Sequence, residues 1–125
     1  MKLLKKPLKL LLLLIFFSNC KPKQTLLDPL EAGWNNKPVC EVLEDNAKQR
    51  ILKCTFPPGV GHEKHYHNPH FGYTLQGSKF RITDQNGTKE IDVPTGTTFS
   101  KDEVTWHEVL NIGDSTAVFL IIEAK

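Results

Sequence analysis

Four of the chain's five histidines fall in the run His62-Glu63-Lys64-His65-Tyr66-His67-Asn68-Pro69-His70, and the fifth, His107, lies in Trp106-His107-Glu108. In an extended strand alternate side chains share a face, so His65 and His67 project together, roughly 6–7 Å apart along the strand. Two imidazoles so placed can converge on one metal ion. His70, beyond the Asn68-Pro69 turn, and His107 are the candidates for a third and a fourth ligand. The competing reading is a solvated, histidine-rich loop, because His-x-His also recurs by chance.

The elements that must position these side chains are strands and turns. Strand-like runs cover Val39-Cys40-Glu41-Val42-Leu43, Arg50 to Phe56, Phe71 to Gln76, Lys79 to Thr83, Glu90 to Val93, Thr97 to Ser100, Val104 to Leu110 and Thr116 to Glu123. Between them stand turn signals: Pro57-Pro58-Gly59, Gly77-Ser78, Asn86-Gly87, Pro94-Thr95-Gly96 and Asn111-Ile112-Gly113-Asp114. Asn-Gly is a strong short hairpin signal. About eight short strands at regular spacing, with no helical apolar period, predict an all-β sandwich or small barrel.

The N-terminus reads as an address. Lys2, Lys5, Lys6 and Lys9 precede an apolar run, Leu10 to Phe17, and then Ser18-Asn19-Cys20. That order is a secretory signal over residues 1–19, and the run is too short for a span of ~17–25 residues. Phe17-Ser18-Asn19-Cys20 resembles a bacterial lipobox, although Leu and a small residue are usual where Phe17 and Asn19 stand. Cys20 would then carry the lipid, membrane-anchored in the bacterial cell envelope; a plain secreted protein is the alternative. Residues 20–37 read as a lipidated tether, with Leu26, Leu27, Leu30 and Trp34 able to dock as a flap or helix, ahead of a domain over 38–125.

The chain carries 16 basic and 14 acidic residues, but the signal takes four lysines with it, leaving 12 basic residues and a formal charge of −2. Nothing in that balance points to a nucleic-acid partner. Cys40 and Cys54 remain as an even pair in an oxidising compartment. A hairpin centred near Ala47 places them opposite each other, within reach of a disulfide; two buried free thiols are the alternative.

At this point the chain resembles a single-domain cupin, a small double-stranded β-helix barrel of the jelly-roll kind. Gly59, His65 and His67 match the first half of the first cupin motif, and Gly77 preceded by His70 matches the second half, with histidine where glutamate is usual and a loop one residue shorter. Gly96, His107 and Asn111 fall on the second motif in register, while Asp102 and Val104 stand where proline and glycine are usual. The resemblance implies a site for one divalent transition metal (Fe, Mn, Ni, Cu or Zn) held by His65, His67 and His107, with His70 as a fourth ligand. His62 falls outside the motif register and is expected in solvent.

Alternation then sketches a ligand pocket. Gly72, Thr74 and Gln76 share a face with His70, and Phe71, Tyr73 and Leu75 face away, under a sheet or at a homodimer contact. Thr105 and Val109 go with His107, and Trp106 goes opposite. Arg50 shares a face with Leu52, Cys54 and Phe56; it either pairs with a ligand carboxylate or reaches a solvated rim. Two function classes follow: a metal-dependent small-molecule enzyme, dioxygenase- or isomerase-like, or a non-catalytic envelope module that binds a small ligand in a metal-free pocket. A carboxylate close to the pocket favours the first, and an enclosed apolar cavity favours the second.

Overall fold

The structure, a computed structural model, describes residues 25–125. The expected signal and Cys20 lie outside the described residues. A short hairpin, β1 (Gly33–Trp34) and β2 (Lys37–Pro38), precedes β3 (Cys40–Asp45), β4 (Gln49–Phe56), β5 (Gly61–His67), β6 (His70–Gln76), β7 (Ser78–Asp84), β8 (Gly87–Val93), β9 (Thr98–Lys101), β10 (Thr105–Asn111) and β11 (Ala117–Ala124). Among the described residues there is no helix. The expected all-β jelly-roll barrel is what forms.

Two antiparallel sheets make the barrel, one ordered β5-β10-β7-β8 and the other β3-β4-β11-β6-β9. Alternation explains why they face each other. On β4, Leu52, Cys54 and Phe56 are buried, and on β11 Phe119 and Ile121 are buried, while the residues between them are half-exposed. Phe56 and Phe119 from one sheet meet Phe80 of the other, edge to face, with ring centroids 5.7 and 5.5 Å away. Such pairs add roughly 0.5–1.5 kcal/mol each beyond the area they bury.

Local chemistry sets the connections. Asn35 and Asn36 hold φ of 51° and 62°, the two left-handed positions that a tight hairpin between β1 and β2 requires and that asparagine tolerates. The Asn-Gly hairpin forms between β7 and β8, closed by the Asp84–Gly87 pair, with Gly87 in the left-handed region at φ 112°. Cys40 and Cys54 are directly paired across β3 and β4 and joined by a disulfide. It closes a loop of 14 residues, which removes about 3 kcal/mol of chain entropy from the unfolded state.

The segment read as a tether lies against the barrel from Leu27 onward. Leu27 forms a parallel bridge with His65, and its carbonyl accepts the Tyr66 amide at 3.0 Å. Asp28-Pro29-Leu30-Glu31 then makes one tight turn. Asp28 Oδ1 accepts the Leu30 amide, Glu31 Oε2 accepts the Asp28 amide, and the Ala32 amide bonds back to the Asp28 carbonyl at 2.9 Å. Reciprocal bonding of this kind fixes a turn by local sequence alone. The barrel then covers Pro29 and Ala32.

Candidate metal centre

Register brings three histidines together. On adjacent strands His107 of β10 stands directly opposite His65 of β5, and Thr105 stands opposite His67. The nitrogen atoms that His65, His67 and His107 offer lie within 4.8 Å of one another. His65 is fully buried, His67 is nearly so, and His107 is half-buried.

Hydrogen bonds decide what these rings can do. His65 Nδ1 lies 2.6 Å from the Glu63 carbonyl, and His67 Nδ1 lies 2.7 Å from Glu123 Oε1. Both partners only accept, so both Nδ1 atoms must donate, and in the neutral rings both Nε2 atoms are bare lone pairs. Those lone pairs face each other at 2.9 Å, with His107 Nε2 3.1 Å from His65 Nε2. Lone pairs so close repel unless a cation joins them. Nδ1 bonded to a carbonyl or carboxylate and Nε2 left free is also how metal-ligating histidines are held. Burial, reinforced by the neighbouring rings, pushes His65 far below the ordinary imidazole range and His107 down to about 3. Both are therefore neutral near pH 7, the form that ligates. The donor set fits a divalent ion.

Behind His67 stands a chain of charges. Glu123 Oε2 accepts from Arg50 Nε at 3.0 Å and from a terminal guanidinium nitrogen at 2.7 Å. Arg50 in turn donates to both oxygens of Asp28, at 3.2 and 2.9 Å. Burial alone would raise the Glu123 carboxyl, but its bonds to His67 and Arg50 outweigh that and hold it below the usual range. Asp28 is also lowered: burial opposes, and the bond to Arg50 prevails. Glu123 escapes sequence reasoning because one carboxylate after Ile121-Ile122 near the end of the last strand carries no motif. The pairing of β11 with β6 sets Glu123 against His70, its pairing with β4 sets it against Arg50, and together they bring it to the site.

His62 is the clearest correction. It is 2 % exposed, not solvated. Between paired positions His62–Val109 and His65–His107, β5 has two residues and β10 has one. This bulge leaves Glu63 and Lys64 both exposed and turns His62 back to the interior. Its Nε2 donates to the Pro29 and Ala32 carbonyls at 2.9 and 3.2 Å, and its ring stacks on His65 at 3.7 Å. Lys64, on the outer side, lies over the Trp106 ring at 3.9 Å.

Burial lowers His62 to about 4, against an ordinary value of 6.5. Above pH 6.5 the ring is neutral in both states. As pH falls from 6.5 towards 4 the unfolded chain takes the proton first, and the fold loses up to about 3 kcal/mol through this group. His65 and His107 shift in the same direction and steepen the fall. Metal-free protein is therefore expected to melt progressively lower from pH 7 to 4.5, and His62→Gln to show a shallower slope. A parent melting temperature flat over that range would contradict the burial.

The other expected site residues divide. His70 is buried at the start of β6 with its Nδ1 donating to the Asn68 carbonyl at 2.8 Å, but it falls outside the three-histidine set, its ring centroid 4.9 Å from that of His67. Gly72 faces inward yet leaves no ligand space, because a Cβ there would run into the Phe99 ring. Thr74 is fully buried, and its Oγ1 has no hydrogen-bond partner. Gln76 is exposed, because a register shift where β6 meets Val118 and Phe119 breaks the alternation at Leu75. Arg50 neither awaits a ligand nor reaches a solvated rim: its side chain is 16 % exposed and committed to Asp28 and Glu123. Phe71, Tyr73 and Leu75 face outward as alternation requires.

Fold and site together define a small jelly-roll barrel with a histidine centre enclosed near one end of two facing sheets. The profile of the cupin domain family matches residues 52–123, and the chain belongs to that family. Among solved structures it resembles a cupin domain from Bordetella pertussis Tohama I, with a TM-score of 0.65 and 24% identity, over 70% of this chain and 92% of that one. A cupin protein from Bacteroides fragilis follows at TM-score 0.56 and 22% identity, over 69% of this chain and 75% of that one. A sugar phosphate isomerase of the cupin superfamily from Silicibacter pomeroyi DSS-3 gives 0.53 and 17%, over 69% and 58%. These likenesses show the fold. No curated protein matches the chain in sequence.

Proposed function

We propose that this chain is an exported, lipid-anchored cupin-domain protein that holds one divalent transition metal on His65, His67 and His107 and presents it to a small-molecule ligand. The observation that carries this reading is the convergence of Nε2 of His65 and Nε2 of His67, 2.9 Å apart, with each Nδ1 held by a fixed acceptor. A divalent ion there supplies Lewis acidity, or one-electron chemistry if it is redox-active, at positions that three imidazoles leave open. The chain's own part is to fix the rings. Glu63 and Glu123 set the two tautomers, and the Leu27 bridge holds the outer side of His65. His70, with Nε2 free, stands beside the centre and suits contact with a ligand there. The carboxylate of Glu123 favours the metal-dependent class over an enclosed apolar pocket.

Export and anchoring rest on the lysine-rich start, the apolar run and Cys20, and the Cys40–Cys54 bond fits an oxidising compartment. A second copy of the chain against the outer face of β6, where Phe71 is 43 % and Tyr73 39 % exposed, would complete the picture as a homodimer.

The test is metal content of protein made without a histidine tag, exposed in turn to Fe(II), Mn(II), Ni(II), Cu(II) and Zn(II). The parent is expected to retain close to one ion per chain, and a His65→Ala/His67→Ala double variant none. A parent that stays empty with all five overturns the metal reading. Expressed with its own leader in a bacterial host, the chain is expected in the membrane fraction, and Cys20→Ala is expected to leave it.

A further inference from the structure

This inference rests on the metal reading above and asks what balances the ion's charge. Three neutral imidazoles contribute no negative charge to a dication in a largely buried site, and an uncompensated buried charge is costly. Glu123, 2 % exposed, is the one buried acidic residue among the described residues. Its Oε1 touches His67 and its Oε2 touches Arg50. Taken alone, Arg50 would cancel Glu123. Asp28, held at 2.9 Å on the far side of the guanidinium, restores the balance, so the three side chains together carry a net charge of −1.

We propose that Asp28, Arg50 and Glu123 form the counter-charge of the metal centre, with Glu123 the positioning residue that acts on the ion through His67 and Asp28 the residue that keeps the group anionic. The segment ahead of the barrel is then part of the metal site, because it supplies Asp28. The bond from His67 Nδ1 to a carboxylate makes Nε2 a stronger donor than a bond to a neutral carbonyl would. Arg50 places two donors on Glu123 Oε2 and grips both oxygens of Asp28, a fork that a lysine's single nitrogen could not reproduce.

The experiment is a competition titration of Zn(II) and Co(II) against a chromophoric chelator, using the parent, Glu123→Gln and Asp28→Asn. Glu123→Gln keeps the shape and one of the two acceptors, removes the charge and sets its NH2 against either His67 or Arg50, and is expected to weaken binding roughly 10–100-fold. Asp28→Asn leaves the His67 contact intact and is expected to weaken it about 3–10-fold, the size of a screened charge at a distance. The Co(II) absorption bands report whether the three-histidine set survives in each variant. If Glu123→Gln fails to fold by circular dichroism, the half-exposed Asp28 carries the test alone. Affinities within twofold of the parent in the folded variants would overturn the counter-charge while leaving the metal site standing. A parent that binds neither ion overturns both.

Discussion

Replacing Arg50 by alanine is expected to be among the most destabilising single substitutions in this barrel. Among the described residues, the guanidinium is the only group hydrogen-bonded to both Asp28 on the N-terminal turn and Glu123 on β11. Without it Glu123 stays buried and keeps only His67, while Asp28 loses the partner that pins the turn to the barrel. Breaking a buried ion pair by removing one partner costs about 3–5 kcal/mol. Because Asp28 is 23 % exposed and recovers some hydration, the lower end applies. For a domain of this size that is a fall in melting temperature of roughly 12–20 °C. The loss should shrink when Zn(II) is added, because a bound dication gives Glu123 an opposite charge through His67 and any ligand of the folded state stabilises it. Melting curves of metal-free and Zn(II)-loaded protein check both parts. A variant melting within 3 °C of the parent would show that the cluster does not hold the turn in place.

Asn111→Ala is expected to cost about as much, by a route unrelated to metal. Asn111 is fully buried, and all of its amide is used. Nδ2 donates to the Phe56 and Ser115 carbonyls at 2.8 Å each, and Oδ1 accepts from Ser78 Oγ at 2.8 Å and from the Gly113 amide at 3.0 Å. One side chain thus clasps the end of β4, the start of β7 and the β10–β11 turn. Alanine leaves several of these groups buried without partners, at about 1–3 kcal/mol for each that water cannot reach. A total near 4 kcal/mol is expected. Denaturant unfolding of Asn111→Ala beside Asn111→Asp separates the causes: aspartate keeps the acceptor but turns both donors into repulsion, so it should be no better. Metal affinity of whatever fraction stays folded should be nearly unchanged, since Asn111 touches none of the histidines' hydrogen bonds. The second-motif asparagine is then a structural clasp.

How far the sequence could be read follows from the range of the interactions involved. Alternation and turn residues are local, so β4, β6, β7, β8, β10 and β11 were legible, as was the outward placement of Phe71 and Tyr73. Two histidines at i and i+2 share a strand face unless a bulge intervenes, and none falls between His65 and His67. The hairpin that pairs Cys40 with Cys54 is also short-range, although the register at its turn, Asp45 opposite Arg50, reaches the cysteine pair only through a bulge at Leu43. The residues alone make His107 a candidate and the motif resemblance puts it in the ligand set, but its place opposite His65 depends on the register of β10 on β5, between residues 42 apart.

What the sequence by itself determined is the strand pattern and, through the motif resemblance, the cupin barrel and the histidines offered to a metal; it placed Cys40 opposite Cys54 but left open whether they join. Tertiary structure alone decided the rest of the site. An extra residue in β5 reverses the parity of everything before it, which buries His62 although strict alternation sends it outward. A similar break on β6 exposes Gln76. Phe99, from a different strand, fills the space that Gly72 leaves open. Asp28, Arg50 and Glu123 come from three distant parts of the chain, and no local preference brings them together. A charged side chain reads as solvent-facing until its partners are known, and partners are set by how sheets close, which is a property of the whole chain.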